Sequence, residues 1–324
     1  MASKLHVDES SRSDKQGCCG QSARAVTSVK YPRTPGYRPR PEENKLNAWY
    51  WRCDIKGADT GKLAGKTLAI KDNVPVAGVP IMNGSYVLEG YMPEFDATIV
   101  TRILDAGGRI IGAEDLCRSG SSLSSVKGAV RNPHRIDHSA GGSSSGSGAL
   151  VASGEVDMAI GGDQGGSIRE PSAWCGVVGL KPTFGLVPYT GILPIELTID
   201  HTGPITKTVY NAALLLEVIA GHDNGLDPRQ PRNLQVPDYT KTLATELPGI
   251  RIGILKEGFG QSNSEDDVDT MVKKAAYEMT SLGASVEEVS VPEHKLAYHL
   301  YTAIATEGGV DMMMRGCGKF LQYP

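Results

Sequence analysis

The sequence predicts an α/β protein, a β-sheet covered by helices on both faces. Two observations carry this prediction. From about Leu63 onward, short apolar strands alternate with amphipathic helical segments, the order that lays helices across a sheet. The Gly- and Ser-dominated middle, residues 119–191, is interleaved with apolar pieces (ALVA, MAIG, WCGVVGL) that a flexible linker lacks. The length of 324 residues suits one large or two ordinary domains. No internal period of roughly 20–50 residues marks a repeat fold.

Residues 1–45 are polar and rich in Ser, Arg, Lys and Pro, and read as a mobile arm or a peripheral segment. Residues 46–324 read as the folded domain. Thr67–Ile70 forms a strand that ends at Lys71. Asp96 is placed to cap a helix with Ile99, Val100, Ile103 and Leu104 on one face. Gly107 stops it, and Arg109–Ile111 is the next strand. Two Gly-rich turns follow, each leading into a helix start. Thr208 caps a helix over Val209–Ala220. Arg251–Leu255 is a strand. Ser264 then caps a helix whose stripe is Val268, Met271, Val272, Ala275, Met279 and Leu282. Gly283 ends it, and Ser285–Val291 is the following strand.

The net charge is −4 and no long basic block occurs, so neither nucleic acid nor an anionic membrane surface is expected as a partner. No apolar run reaches the length of a membrane span, and the polar start MASKLHVDESSRSDKQ lacks the apolar core of a secretory signal. The six cysteines, at 18, 19, 53, 117, 175 and 317, show no CxxC spacing and are too sparse for a disulfide scaffold. A reducing, cytoplasmic setting fits them. Cys18–Cys19 reads as an unpaired pair in the arm.

Gly-rich loops often hold phosphate. GKLAGKT, Gly61–Thr67, has three residues between its glycines where a P-loop has four. GSSSG, Gly142–Gly146, matches the spacing of a hydrolase elbow around Ser144, but no strand precedes it. Nothing ties a histidine such as His201 to a serine. His134 and His138 have i, i+4 spacing, but Pro133 argues against a helix presenting both, so no metal is expected. Without histidine, a serine nucleophile needs another base, and a lysine of lowered pKa can serve. Lys71 ends an apolar strand, in LAIKDNV. Position alone assigns it to solvent.

The combination changes that weighting. AIKDN, then GGSSSGSGALVASG, then GGDQGGSIREPSAWCGVVGLKPTFGLVP resembles the amidase signature family in order and wording. The resemblance runs from about Leu63 to about Gly309. It is especially close to the enantioselective bacterial amidases found alongside nitrile hydratases, in IKDNVPVAGVPIMNGS, IDHTGPIT, DPRQ and ILKEGFG. It implies the amidase-signature fold, a mixed β-sheet. It implies Ser167 as the nucleophile. Ser143, which lies 24 residues before it on a cis peptide bond, is the bridge, and Lys71 is the base. The backbone N–H groups of Gln164, Gly165, Gly166 and Ser167 are the implied oxyanion donors. Ser144, Ser145, Asp163 and Arg169 are expected to brace the site, the last two as an ion pair. Cys175 is expected to be a small buried thiol. Trp174 reads equally as a pocket wall or a core aromatic. No cofactor is implied, and the substrate is a small amide hydrolysed to acid and ammonia.

Three features depart from the family. Ser145 stands where many relatives have Gly. Glu170 stands where an apolar residue is common. The family fold also continues beyond the point where this match fades, so the C-terminal part is expected to be missing, leaving an exposed edge that a homodimer would cover. Three alternatives stay open. These are a glutamyl-tRNA amidotransferase-like amidase, a pathway-specific amidase of secondary metabolism, and an inactive amidase-like binding protein.

Overall fold

The computed structural model describes residues 29–114 and 128–315. Cys18, Cys19, Cys117 and Cys317 lie outside the described residues, as do the first 28 residues of the polar arm. The chain divides into two compact units, one closing at Pro237 and also taking up the chain from Met312, the other running Asp238–Asp311.

Among its described residues the first unit holds eight strands: β1 (Trp49–Lys56), β2 (Thr67–Lys71), β3 (Arg109–Glu114), β4 (Arg131–Asn132), β5 (Arg135–Ser139), β6 (Met158–Asp163), β7 (Val178–Gly179) and β8 (His201–Thr206). Six of them make one sheet in the order β1-β3-β2-β6-β8-β7, while β4 and β5 pair separately. The sheet is mixed: β2 runs parallel to β3 and β6, and β1, β7 and β8 run antiparallel to their neighbours. Leu68, Ala69 and Ile70 of β2 are fully buried, and all six residues of β6 are buried. Strands covered on both faces lose the alternation of apolar and polar residues, which is why both read as continuous apolar runs.

Helix α1 (Thr98–Asp105) buries Ile99, Val100, Ile103 and Leu104, as its periodicity demands. Its N-cap is Ala97 rather than Asp96. The Asp96 carboxylate instead accepts the Ala77 N–H at 2.9 Å and pairs with Arg33. A long-range cation and a loop amide have outcompeted the local cap. That ion pair, with the Tyr37–Arg52 bridge to β1, also shows residues 33–37 lying against the sheet unit. Helices α2 (Ser145–Ser153) and α3 (Arg169–Trp174) follow the two Gly-rich turns. Helix α4 (Val209–Ile219) starts where Thr208 accepts the N–H of Asn211 at 3.2 Å.

Strand parity sorts the layers. Leu68 faces α1, where a Cβ on Gly108 would touch both Leu68 and Ile103. Ala69 points the other way, into a core shared with Ala149, Leu150 and Val151 of α2. Lys71 is two residues beyond Ala69 and so shares the α2 face.

In the second unit, β9 (Arg251–Leu255) and β10 (Ser285–Val289) pair in parallel across α5 (Asp266–Glu278). β10 ends two residues short of the expected Val291. The α5 cap is Glu265, not Ser264, whose hydroxyl donates to Gln261 and Asp269. The apolar stripe is present but exposed: Val268 is 53% and Met271 is 70% accessible. The 3.6-residue period made the helix, and among the described residues no layer covers the stripe. Helix α6 (Ala297–Arg315) completes the described chain. No described helix is long and apolar enough to cross a membrane.

Candidate active site

Lys71 is 1% exposed, against the solvent position that its place in the sequence suggested. Strand parity turns it toward the start of α2. Its Nζ lies 2.7 Å from Ser143 Oγ, 2.9 Å from Ser144 Oγ and 3.3 Å from the Gly162 carbonyl. Burial drives its pKa down from 10.5 to about 8, against the opposing pull of the Glu114, Asp163, Asp200 and Asp72 carboxylates. Glu114 is its register partner on β3.

The Gly142–Ser143 peptide bond is cis, as the resemblance implied. Gly141 has φ +80°, and a Cβ there would lie 2.9 Å from Pro171 Cα, so this turn admits no side chain. Ser144 accepts the Gly162 N–H at 3.1 Å and donates to the Gly162 carbonyl at 3.2 Å, tying the turn to β6. Ser145 Oγ donates to the Gly141 carbonyl at 2.7 Å, and thereby closes the turn from within. Glu170 accepts the Gly142 N–H at 3.2 Å, and burial raises its carboxyl pKa.

Ser167 sits between β6 and α3, half-buried, and its carbonyl accepts the Ser144 N–H at 3.3 Å. The structure thus joins Lys71 to Ser143 directly and sets the two serine-bearing turns side by side. Among the described residues, Ser167 Oγ makes no hydrogen bond, so the Ser143–Ser167 link is open in this conformation.

Asp163 is fully buried and braces the turn. It accepts the N–H groups of Gly166 at 2.8 Å and Ile168 at 3.2 Å, and both Nε and Nη2 of Arg169 at 2.9 Å. Burial pushes its pKa up, but the Arg169 bonds and backbone donors outweigh that and leave it lowered. This geometry corrects one expectation. The Gly166 N–H is spent on Asp163, so it is not a free oxyanion donor here. Among the described residues, the N–H groups of Gln164, Gly165 and Ser167 have no protein acceptor. The Gln164 side chain donates to Asp200 at 2.8 Å and to Tyr189 at 3.3 Å.

Sequence reasoning passed over Glu114 and Asp200. For Glu114 a signal existed: RIIGAE, like TLAIK, is an apolar strand ending in a charge. Asp200 stands in the quoted IDHTGPIT but was not weighed. The remaining candidates take structural places. His134 Nε2 meets the Cys175 carbonyl at 3.0 Å, and His201 Nδ1 meets the Ile199 carbonyl at 2.8 Å. Cys175 is fully buried, with its thiol pushed up to about 12 by burial. Trp174 is half exposed, which removes it from the core. No metal-binding cluster occurs among the described residues.

Comparison with known proteins agrees with this geometry. The Amidase family matches residues 39–323. An enantioselective amidase of Rhodococcus rhodochrous is 52% identical over 296 residues, covering 90% of this chain and 56% of the relative. A glutamyl-tRNA(Gln) amidotransferase component from Gloeobacter violaceus is 41% identical, covering 78% of this chain and 51% of the relative. Among solved structures, the corresponding amidotransferase component from Thermotoga maritima superposes with TM-score 0.74 at 35% identity, over 79% of this chain and 56% of its own. The peptide amidase of Stenotrophomonas maltophilia does so with TM-score 0.70 at 35% identity, over 80% and 55%. The chain spans about half the length of the curated relatives it matches. With the mixed sheet, the cis turn and the buried lysine–serine pair already in place, these matches make the chain a member of the Amidase family.

Proposed function

We propose that this protein is a serine amidase, converting a small carboxylic amide and water to the acid and ammonia without a cofactor. The observation that carries the reading is the 2.7 Å contact between the buried Lys71 Nζ and Ser143 Oγ, next to the turn bearing Ser167. Neutral Lys71 takes a proton from Ser143, which takes one from Ser167, and Ser167 Oγ attacks the amide carbonyl. The N–H groups of Gln164, Gly165 and Ser167 are the oxyanion donors. Ser143 returns a proton to the nitrogen, ammonia leaves, and water hydrolyses the Ser167 ester through the same relay. The free thiols of Cys53 and Cys175 suit a reducing, cytoplasmic setting. A homodimer is part of the proposal, supported by the apolar side chains exposed on α5. A purely monomeric mass by light scattering at high concentration removes it.

A fluorophosphonate probe tests the chemistry. Ser167 is expected to be labelled, with Lys71→Ala and Ser143→Ala slowing labelling by about 100-fold or more. Undiminished labelling of Ser167→Ala overturns the reading.

A further inference from the structure

Gln164 opens the Ser167 turn, and both N–H groups of its side-chain amide are engaged by Asp200 and Tyr189. Asp200 is 1% exposed, one residue before β8. Its carboxylate also accepts the Ile195 N–H, at 3.3 Å to Oδ1 and 3.1 Å to Oδ2. These partners, together with the Glu196 N–H, are all donors, so they favour the ionised carboxylate over the neutral acid. Among the described residues, no cation hydrogen-bonds that carboxylate. The neighbouring guanidinium, Arg229, is held by Asp227 at 2.8 and 2.6 Å; it bonds the Asp200 main-chain carbonyl at 3.0 Å and favours the ionised carboxylate through space without hydrogen-bonding it. Tyr189 Oη takes a further N–H from Asn73 at 3.4 Å, and its ring lies 5.0 Å from Arg229. Lys71, from β2, feels the Asp200 charge through space. A buried carboxylate without a directly bound cation is costly. Here it is aimed at the residue that starts the nucleophile's turn.

We infer that Asp200 is a positioning residue for the hydrolytic site, fixing the Ser167 turn through Gln164 and keeping Lys71 more basic through its charge. This rests on the amidase reading above. Protonation of Asp200 puts an O–H donor among groups that are themselves donors: on Oδ1 it displaces the Gln164 amide, and on Oδ2 it crowds both Gln164 and Ile195 onto Oδ1, so either way the hold on the turn weakens. Burial raises its pKa to about 7. Reactivity therefore requires Asp200 ionised, above about 7, and Lys71 neutral, above about 8. Both conditions fail as pH falls, so the acid limb carries two protons.

The test is the rate constant for fluorophosphonate labelling of Ser167, measured across the acid limb with the final labelled fraction recorded. Asp200→Asn is expected to lower the plateau rate about tenfold or more. It should also reduce the limb to one proton and move it to lower pH, because Lys71 has lost a negative neighbour. The labelled fraction should stay unchanged, and Asp200→Glu should recover part of the rate. Gln164→Leu should lower the rate but leave the Lys71 limb where it was. An Asp200→Asn profile equal to wild type overturns the inference. So does a fall in labelled fraction alone, which reports only folding. If the wild type does not label at all, the amidase reading falls and takes this inference with it. An active wild type with an indifferent Asp200→Asn removes the inference alone.

Discussion

At the scale of single residues, the chemistry turns on how four carboxylates oppose the burial of one ammonium. With a pKa of about 8, Lys71 is about one-tenth neutral at pH 7 and mostly neutral at pH 9. A base acts only when neutral, so amide hydrolysis should rise with pH through about 8, as an ammonia-release assay over pH will show. Glu114→Gln removes the largest opposing charge. The limb should then move to lower pH, with more neutral lysine at pH 7. A limb that stays in place would show that the Glu114 charge does not reach Lys71. The three serine and lysine positions proposed for the relay were named from motif order and spacing, because the family's wording is local. The commitment of the Gly166 N–H to Asp163 was not, because a sequence names donors without saying which acceptor reaches them first.

At the scale of elements, helix α2 shows packing overriding propensity. Replacing Gly by Ala inside a helix ordinarily gains about 1 kcal/mol. At Gly146 the new Cβ would meet a Glu114 carboxylate oxygen at 2.5 Å and the Ala48 carbonyl at 2.6 Å. A backbone oxygen cannot swing away, and overpacking of this kind costs roughly 1–3 kcal/mol. Gly146→Ala should therefore destabilise the chain in urea titration despite its better helix propensity. Any gain in stability would show that α2 can back away from the sheet. Element existence read well from periodicity, as at α1 and α4. Caps read unevenly. Thr208 caps as its spacing suggests, whereas Asp96 and Ser264 are drawn off by partners that the local sequence does not display.

At the scale of the molecule, the two units differ in what their apolar residues do. The sheet unit buries its central strands β2 and β6 on both faces. Helix α5 of the other unit carries an equally regular stripe that stays exposed in the described chain. Met271→Lys on that stripe should change the thermal stability of the dilute, monomeric protein by no more than about 0.5 kcal/mol, the range for surface substitutions, while weakening the proposed homodimer. The same change in a buried position such as Ile103 would unfold the protein. A large loss at dilutions where the protein is monomeric would show that the stripe is covered within the chain itself.

By itself, the sequence determined the α/β class and several of its strands and helices, and its motifs pointed to the family and, through it, to the three residues proposed for the relay. These follow from periods of 2 and 3.6 residues and from short motifs, all of them local. Only the tertiary structure decided which side of β2 is dry, and with it that Lys71 is buried rather than solvated. It also decided that Asp163 takes the Gly166 N–H, and that Asp200 stands behind Gln164. Burial and electrostatic coupling depend on residues tens of positions apart in the chain, and the fold alone sets those distances.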